Sequence, residues 1–450
     1  MARLERHRPC EQIKMITTAV STFNDQGFDS FLESRDEPGW LVDLRRSAWA
    51  QFTEMGWPTQ KDEEWMRTDI RMFNLEKFGF PTGETTGMDI PQGQLSKGVD
   101  IGGASTSFNG TPVTSDLSDE LKAKGVVFGS IAALAKDYPE IVEKYLFKKA
   151  LRTDLDRFAA LHAACWSSGT VLFVPRNVTI DQPFHSHSIL SDGGVDMAHT
   201  LVILEDGAEA TLLSESSSTE ETATGFHCGG IEMIVGDRAN LRFVNLQDWS
   251  QKVWHFAHQK ALVGRDANLQ WTIGALGSRL AKVNQHVGLV GEGANCQVNG
   301  VMFTENKQHL SYHTLQHHVS PNCTSDFLYK GALQDHSRTV WRGMIKVDQK
   351  AQKTDGYQRN DNLLLSRTAR ADSIPGLEIE ADDVRCTHGS TSGRVDEELI
   401  FYAQCRGYTR REAIRMIVSG FFQQVFDRVT IESVRVALGE AIARRVRDYE

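Results

Sequence analysis

Apolar positions along the chain follow more than one rhythm. Between residues 11 and 75 they recur at helical spacing, with Ile13, Ile16, Val20 and Phe23 on one stripe and Leu41, Leu44, Ala48 and Phe52 on the next, stopped by Gly56 and Pro58. The run from Gly56 to Ile70 reads as a turn followed by a capped surface helix that buries Trp65. Residues 81–119, rich in Gly, Thr, Ser and Pro and poor in periodicity, predict a long, exposed, flexible connection. Helical spacing returns from Gly129 to Trp166 through Ile131, Leu134, Ile141, Leu146, Leu155, Phe158 and Leu161. From Gly169 to about Asp383 the pattern becomes short β-branched runs, VLFV, TLVIL, IEMIV, LRFVNL and VGLV, punctuated by glycine, which predicts a β domain.

A local phrase recurs inside that domain: GAEA at Gly207, GDRANL at Gly236, GRDANL at Gly264 and GEGANC at Gly291, at intervals of 29, 28 and 27 residues. Such a period suits stacked coils, since one rung cannot bury its apolar face alone. A β-sandwich with similar turns is the alternative. After Arg394 the spacing turns helical again. Asp396 to Cys405 ends at Gly407, Thr409 and Glu412 form a capping box, and Ile414, Ile417, Val418, Phe421, Phe422 and Val425 follow on one broad stripe before a last helix from Ile431 to about Tyr449. The fold expected is mainly β: a right-handed parallel β-helix over 169–394, flanked by an N-terminal helical domain over 1–168 and a C-terminal helical domain over 395–450.

The formal net charge of -10 argues against nucleic acid and other acidic partners, because binding to phosphates relies on basic surface. The seven cysteines are scattered and form no Cys-x-x-Cys, so neither a disulfide framework nor a zinc knot is indicated. With a charged N-terminus and no apolar stretch of about 18 residues, a cytoplasmic location and no membrane contact are expected.

The stretch Leu377 to Arg411 holds the most reactive pair, Cys386 and His388. Two residues apart on an extended chain, they share a face roughly 6 to 7 Å apart at the backbone. Alone, the pair is more simply a buried thiol and a strand histidine. Tetrahedral iron or zinc needs four donors, so any metal site here borrows ligands from elsewhere. Two other groups are weaker. His309, His313 and His317 are spaced too widely on a strand to share a metal, roughly 13 Å per step of four, and read as separate surface residues. His185-Ser186-His187 has only Asp192 as a nearby carboxylate.

The wording of Leu377–Arg411, the runs TSDFLYKGAL from Thr324 and KVDQKAQKTDGYQRNDNLLLS from Lys346, and the Glu-Glu-Trp phrase at Glu63 resemble the SufB/SufD family, scaffold subunits of the bacterial SUF iron-sulfur cluster assembly machine. Asn360 stands near the place where SufB carries a functional cysteine, which points to the SufD branch. The resemblance implies a non-catalytic subunit that pairs with a SufB-like chain through β-helix contacts. It implies that the C-terminal helices, at Ile414, Ile417, Val418, Phe421 and Phe422, dock a SufC-like ABC ATPase. It also implies that His388, with Cys386 beside it, faces a transient iron-sulfur cluster or iron shared with SufB, with no cofactor held tightly by this chain alone. No P-loop, HExxH or Cys-x-x-Cys is present, so ATP hydrolysis would belong to a partner. The competing readings are a β-helix carbohydrate-active enzyme and a homodimeric binding protein.

Overall fold

Two stacked sheets run the length of the molecule in the computed structural model, which describes residues 22–81 and 90–447. The N-terminal part comprises α1 (Asp25–Glu33), α2 (Gly39–Glu54), β1 (Gly103–Phe108), β2 (Thr111–Leu117), α3 (Asp119–Ala123), β3 (Val127–Ser130), α4 (Ile131–Asp137), α5 (Pro139–Tyr145) and α6 (Arg157–Cys165). Thereafter the chain alternates between the sheets. Sheet one receives β5 (Phe184–Leu190), β8 (Glu209–Ser218), β10 (Asn240–Asp248), β12 (Asn268–Ala275), β14 (Asn295–Thr304), β16 (Thr324–Leu333), β18 (Thr354–Leu364) and β20 (Val384–Arg394). Sheet two receives β4 (Ser168–Val174), β7 (Ala198–Leu204), β9 (Thr224–Val235), β11 (Lys252–Val263), β13 (Leu280–Leu289), β15 (His309–His318), β17 (Arg338–Val347) and β19 (Arg370–Ile379), with the short β6 (Gly194–Asp196) beside β9. The strands of these successive coils pair in parallel, making a β-solenoid. Among the described strands antiparallel pairing occurs only at the first edges, β1 with β2 and β3 with β4, apart from a single bridge between Thr22 and Gly79.

The interior is filled by alternate residues of both sheets, among them Leu212, Met233, Trp271, Val283, Val298, Phe327 and Trp341. Sheet one is covered on its outer face as well, so β16 is buried along nearly its whole length and reads as a continuous run. The outer face of β15 is only partly covered, and its burial alternates.

The recurring glycines occupy two structural positions. Asn177, Gly207, Arg238, Asp266, Gly293, Asn322 and Lys353 form a column of left-handed corner residues with φ between 52° and 73°. The corner amides bond from coil to coil, as in Gly207 N to Asp237 O at 2.8 Å and Asp266 N to Glu292 O at 2.9 Å. Gly236, Gly264 and Gly291 lie two residues earlier, where the backbone passes close beneath: a Cβ on Gly291 would stand 1.9 Å from Arg265 N. The buried alanines Ala208, Ala239, Ala267 and Ala294 mark the true register.

Two local expectations are corrected. Glu63, Glu64 and Trp65 lie in a chain of three-residue turns, with Trp65 N bonded to Asp62 O and Thr68 N to Trp65 O, rather than in a surface helix, although Trp65 is buried as expected. Residues 103–117, inside the expected flexible connection, form the β1–β2 hairpin that starts sheet one; Ser and Thr suit a strand whose partner β5 is equally polar. The predicted stripe at Ile13, Ile16 and Val20, and residues 82–89, lie outside the described residues. Leu41, Ala48 and Phe52 do face inward from α2.

The α1, α2 and α6 helices and the Trp65 turn bury an aromatic cluster against sheet two, joining Phe28, Trp49, Phe52 and Phe158 to Phe226 and Phe256. At the other end of the sequence α7 (Glu397–Gln404), α8 (Arg410–Phe426) and α9 (Glu432–Arg445) lie over the outer face of sheet one. The Thr409–Glu412 capping box is present.

Candidate functional site

The last coil, β19 and β20, is built like the coils before it but has nothing stacked upon it. In register, Leu377 lies against Ile345 and Ile379 against Val347. Ile345 and Val347 are fully buried, whereas Leu377 and Ile379 are 39% and 38% exposed. Among the described residues no strand pairs with the outer edges of β19 or β20. The first coil is different, its edges being closed by the antiparallel strands β2 and β3.

Cys386 and His388 stand on the inward row of β20, opposite Gly356 and Gln358 of β18. The Cys386 thiol packs near Ala381, Ile345 and Val347, in a space that Gly356 leaves open: a methyl group there would come 3.3 Å from Sγ. Burial, and next the backbone amide of Gly356 acting against it, leaves the thiol above its ordinary pKa, so a metal or cation must displace its proton before it can coordinate. His388 is exposed. Beneath it, the Gln358 carboxamide donates across the interior to Gly376 O at 3.1 Å and Gly343 O at 3.3 Å, while its Oε1 has no partner among the described residues. Asn360 follows on the same row, accepting from Asn362 Nδ2 at 2.7 Å.

The terminal coil therefore offers one sulfur and one imidazole donor at the rim of an apolar interior. No group of three or more His, Cys, Asp or Glu side chains able to hold a metal occurs among the described residues. Metal or cluster bound at this rim would need ligands from a second molecule.

The stripe on α8 expected to dock a partner is largely covered by the chain itself. Ile414, Val418 and Phe422 are 3%, 1% and 0% exposed, packed against Val301, Phe303 and Leu328 of sheet one and Leu438 of α9; Ile417 and Phe421 are partly buried in the same cluster. The stripe is broad because it covers a sheet face that is itself apolar. The apolar side chains facing solvent are instead Leu399, Phe401 and Tyr402 on α7, with Tyr408 and Met416 nearby.

Several of the other histidines find partners elsewhere in the chain, whereas the buried His309 Nε2 has none among the described residues. His185 meets Glu215 at 3.4 Å, a carboxylate one coil away that local scanning cannot pair with it. His313 bonds Glu64 at 2.6 Å and His317 bonds Asp348 at 2.9 Å, so these two are half-buried and separately engaged rather than free on the surface. Six cysteines are free among the described residues, of which only Cys405 is exposed.

A parallel β-solenoid with one closed end and one open, donor-bearing end is the class that fold and site define. The chain belongs to the SufBD family: a family profile described as SUF system FeS cluster assembly, SufBD core domain, matches residues 187–421, and one for the SufBD protein N-terminal region matches residues 27–185. It is similar to the iron-sulfur cluster assembly protein SufD of Bacillus subtilis, 28% identical over 424 residues that cover 93% of this chain and 97% of the relative. It is also similar to SufBD family proteins of Staphylococcus haemolyticus and Staphylococcus aureus, 26% and 25% identical, each with 88% of both chains covered.

Proposed function

We propose that this chain is a SufD-like, non-catalytic scaffold subunit for iron-sulfur cluster assembly in the cytoplasm, pairing with a SufB-like subunit through its last coil. The open coil carries this reading. It joins unpaired strand edges, exposed Leu377 and Ile379 and the Cys386–His388 pair on one surface, so a partner solenoid that completes the sheets also brings missing ligands to His388. The cluster or iron is then cargo shared across the junction. A SufC-like ABC ATPase would be held by the C-terminal helices, through the exposed face of α7 rather than the buried stripe of α8. No helix among the described residues is long and apolar enough to cross a membrane.

One observation weighs against a saccharide-cleaving reading. The acids in the groove beside the C-terminal tail are tied up: Glu215 accepts from the amides of Gln94 and Leu95, Asp248 pairs with Arg445, and Glu305 with Arg447 at 2.6 Å. A homodimer through the same edges remains a reading of the isolated chain.

His388→Ala, co-expressed with SufB-like and SufC-like chains and purified anaerobically, is expected to leave the complex assembled and to lose most of its iron and acid-labile sulfide. Undiminished iron and sulfide in the variant complex would remove His388 from the site.

A further inference from the structure

Away from the open coil, a cleft of about 940 Å³ lies between the outer face of sheet two and two N-terminal segments, residues 55–65 and 150–157. Its volume falls in the range of small-molecule sites. Its position follows from the strands: β11, β13, β15 and β17 turn Lys260, His286, Leu315 and Met344 outward in one hydrogen-bonded row to form the floor. The walls include Trp57 and Leu155, 41% and 51% exposed. The Trp57 ring is held by the Arg157 guanidinium at 4.4 Å and by the edges of Phe73 and Phe158.

The charge in this cleft is unevenly compensated. Its carboxylates have partners: Glu64 has His313 and Arg342, Asp156 has His258 at 3.1 Å, and Glu378 has Lys346 at 2.5 Å. Lys260 has no hydrogen bond or ion pair among the described residues. The nearby Glu232 carboxylate is fully buried and already accepts the amides of Phe147, Ala150 and Leu151. Those bonds anchor the loop that brings Arg152 to the cleft wall, where its guanidinium is paired with Asp154 at 2.6 Å. Burial, partly offset by Glu232 and reinforced by Arg152, weakens the Lys260 ammonium. His286 is neutral, driven by burial to about 3, and its Nε2 has no partner among the described residues.

We propose that this cleft binds a small organic anion, its carboxylate or phosphate head on Lys260, Arg152 and His286 and its flat apolar body against Trp57, Leu155, Leu315 and Met344. An anion there supplies the counter-charge that Lys260 lacks and the partner that His286 lacks, and shares Arg152 with Asp154, while the body covers exposed apolar surface. The site is independent of the SufD-like reading.

The test uses the full chain with pyridoxal 5'-phosphate as probe. With its phosphate on Arg152 and His286, its aldehyde condenses with the deprotonated Lys260 amine, releasing water, and borohydride reduces the imine to a stable amine that peptide mass mapping locates. At limiting probe, Lys260 is expected to carry most of the label, 2-naphthoate to compete for it, and Arg152→Gln to lower it by about tenfold while thermal stability is unchanged. Label spread over exposed lysines such as Lys97, Lys307 and Lys350 in proportion to their exposure would overturn the proposal. So would Lys260 labelling that neither naphthoate nor Arg152→Gln reduces.

Discussion

Lys282 is a cationic side chain in an environment that opposes its charge. It is 2% exposed, its Nζ has no hydrogen bond among the described residues, and the Glu64 carboxylate lies 3.7 Å away, with the Trp65 ring at 5.5 Å. Burial outweighs Glu64 and Asp156 and pulls the ammonium down to about 7 from an ordinary 10.5. Between those values the unfolded chain holds a proton that the folded chain lacks, so the penalty is complete below pH 7 and fades as pH rises towards 10.5. Lys282→Met is therefore expected to raise the thermal midpoint by several degrees, equivalent to about 1–3 kcal/mol, with a larger gain at pH 6 than at pH 9.5. Melting curves of both proteins at the two pH values check it; an equal or larger gain at pH 9.5 contradicts it. The Glu64 side chain is 57% exposed, so the ion pair that the variant loses is screened and weak. None of this was legible in the sequence, because Glu64, Trp65 and Lys282 meet only through the packing of the N-terminal turn on sheet two. Cys386 and His388 were legible because two residues on one strand share a face whatever the fold.

At the level of elements, the coils showed through as runs of β-branched residues, and the corner phrase gave nearly the right period. Its first interval was set by Gly207, which fills the left-handed corner, whereas the later glycines fill the tight approach before it; two physical needs share one residue type. The β1–β2 hairpin was hidden by its Ser and Thr content. The α8 stripe was visible, but a stripe does not say what covers it. Here the cover is the chain itself, and that separates two variants. Phe422→Ala removes a fully buried ring and is expected to destabilise the protein by about 3–5 kcal/mol. Phe401→Asp, at a position 68% exposed, is expected to leave the melting curve within about a degree and yet abolish capture of the proposed SufC-like ATPase in a pull-down. Retained capture by a well-folded Phe401→Asp chain would move the docking surface off α7.

Across the whole molecule the two ends of the solenoid are unequal, and that inequality sets what the chain can assemble with. Antiparallel strands close the first coil. The last coil presents ladder groups of β19 and β20 together with Leu377 and Ile379, a surface that invites pairing with another sheet end. Leu377 is already 39% exposed, so an aspartate there costs the isolated chain about 1 kcal/mol or less. Within a completed junction the same aspartate would sit in an apolar interior without a partner, where the penalty is several kcal/mol. Leu377→Asp is accordingly expected to fold normally and to run as a monomer in native mass spectrometry. In co-purification it should recover at least tenfold less of a SufB-like partner than the wild-type chain does. Recovery of that partner at the wild-type level would show that pairing uses another surface, and the Cys386–His388 rim would then face solvent in the assembled state.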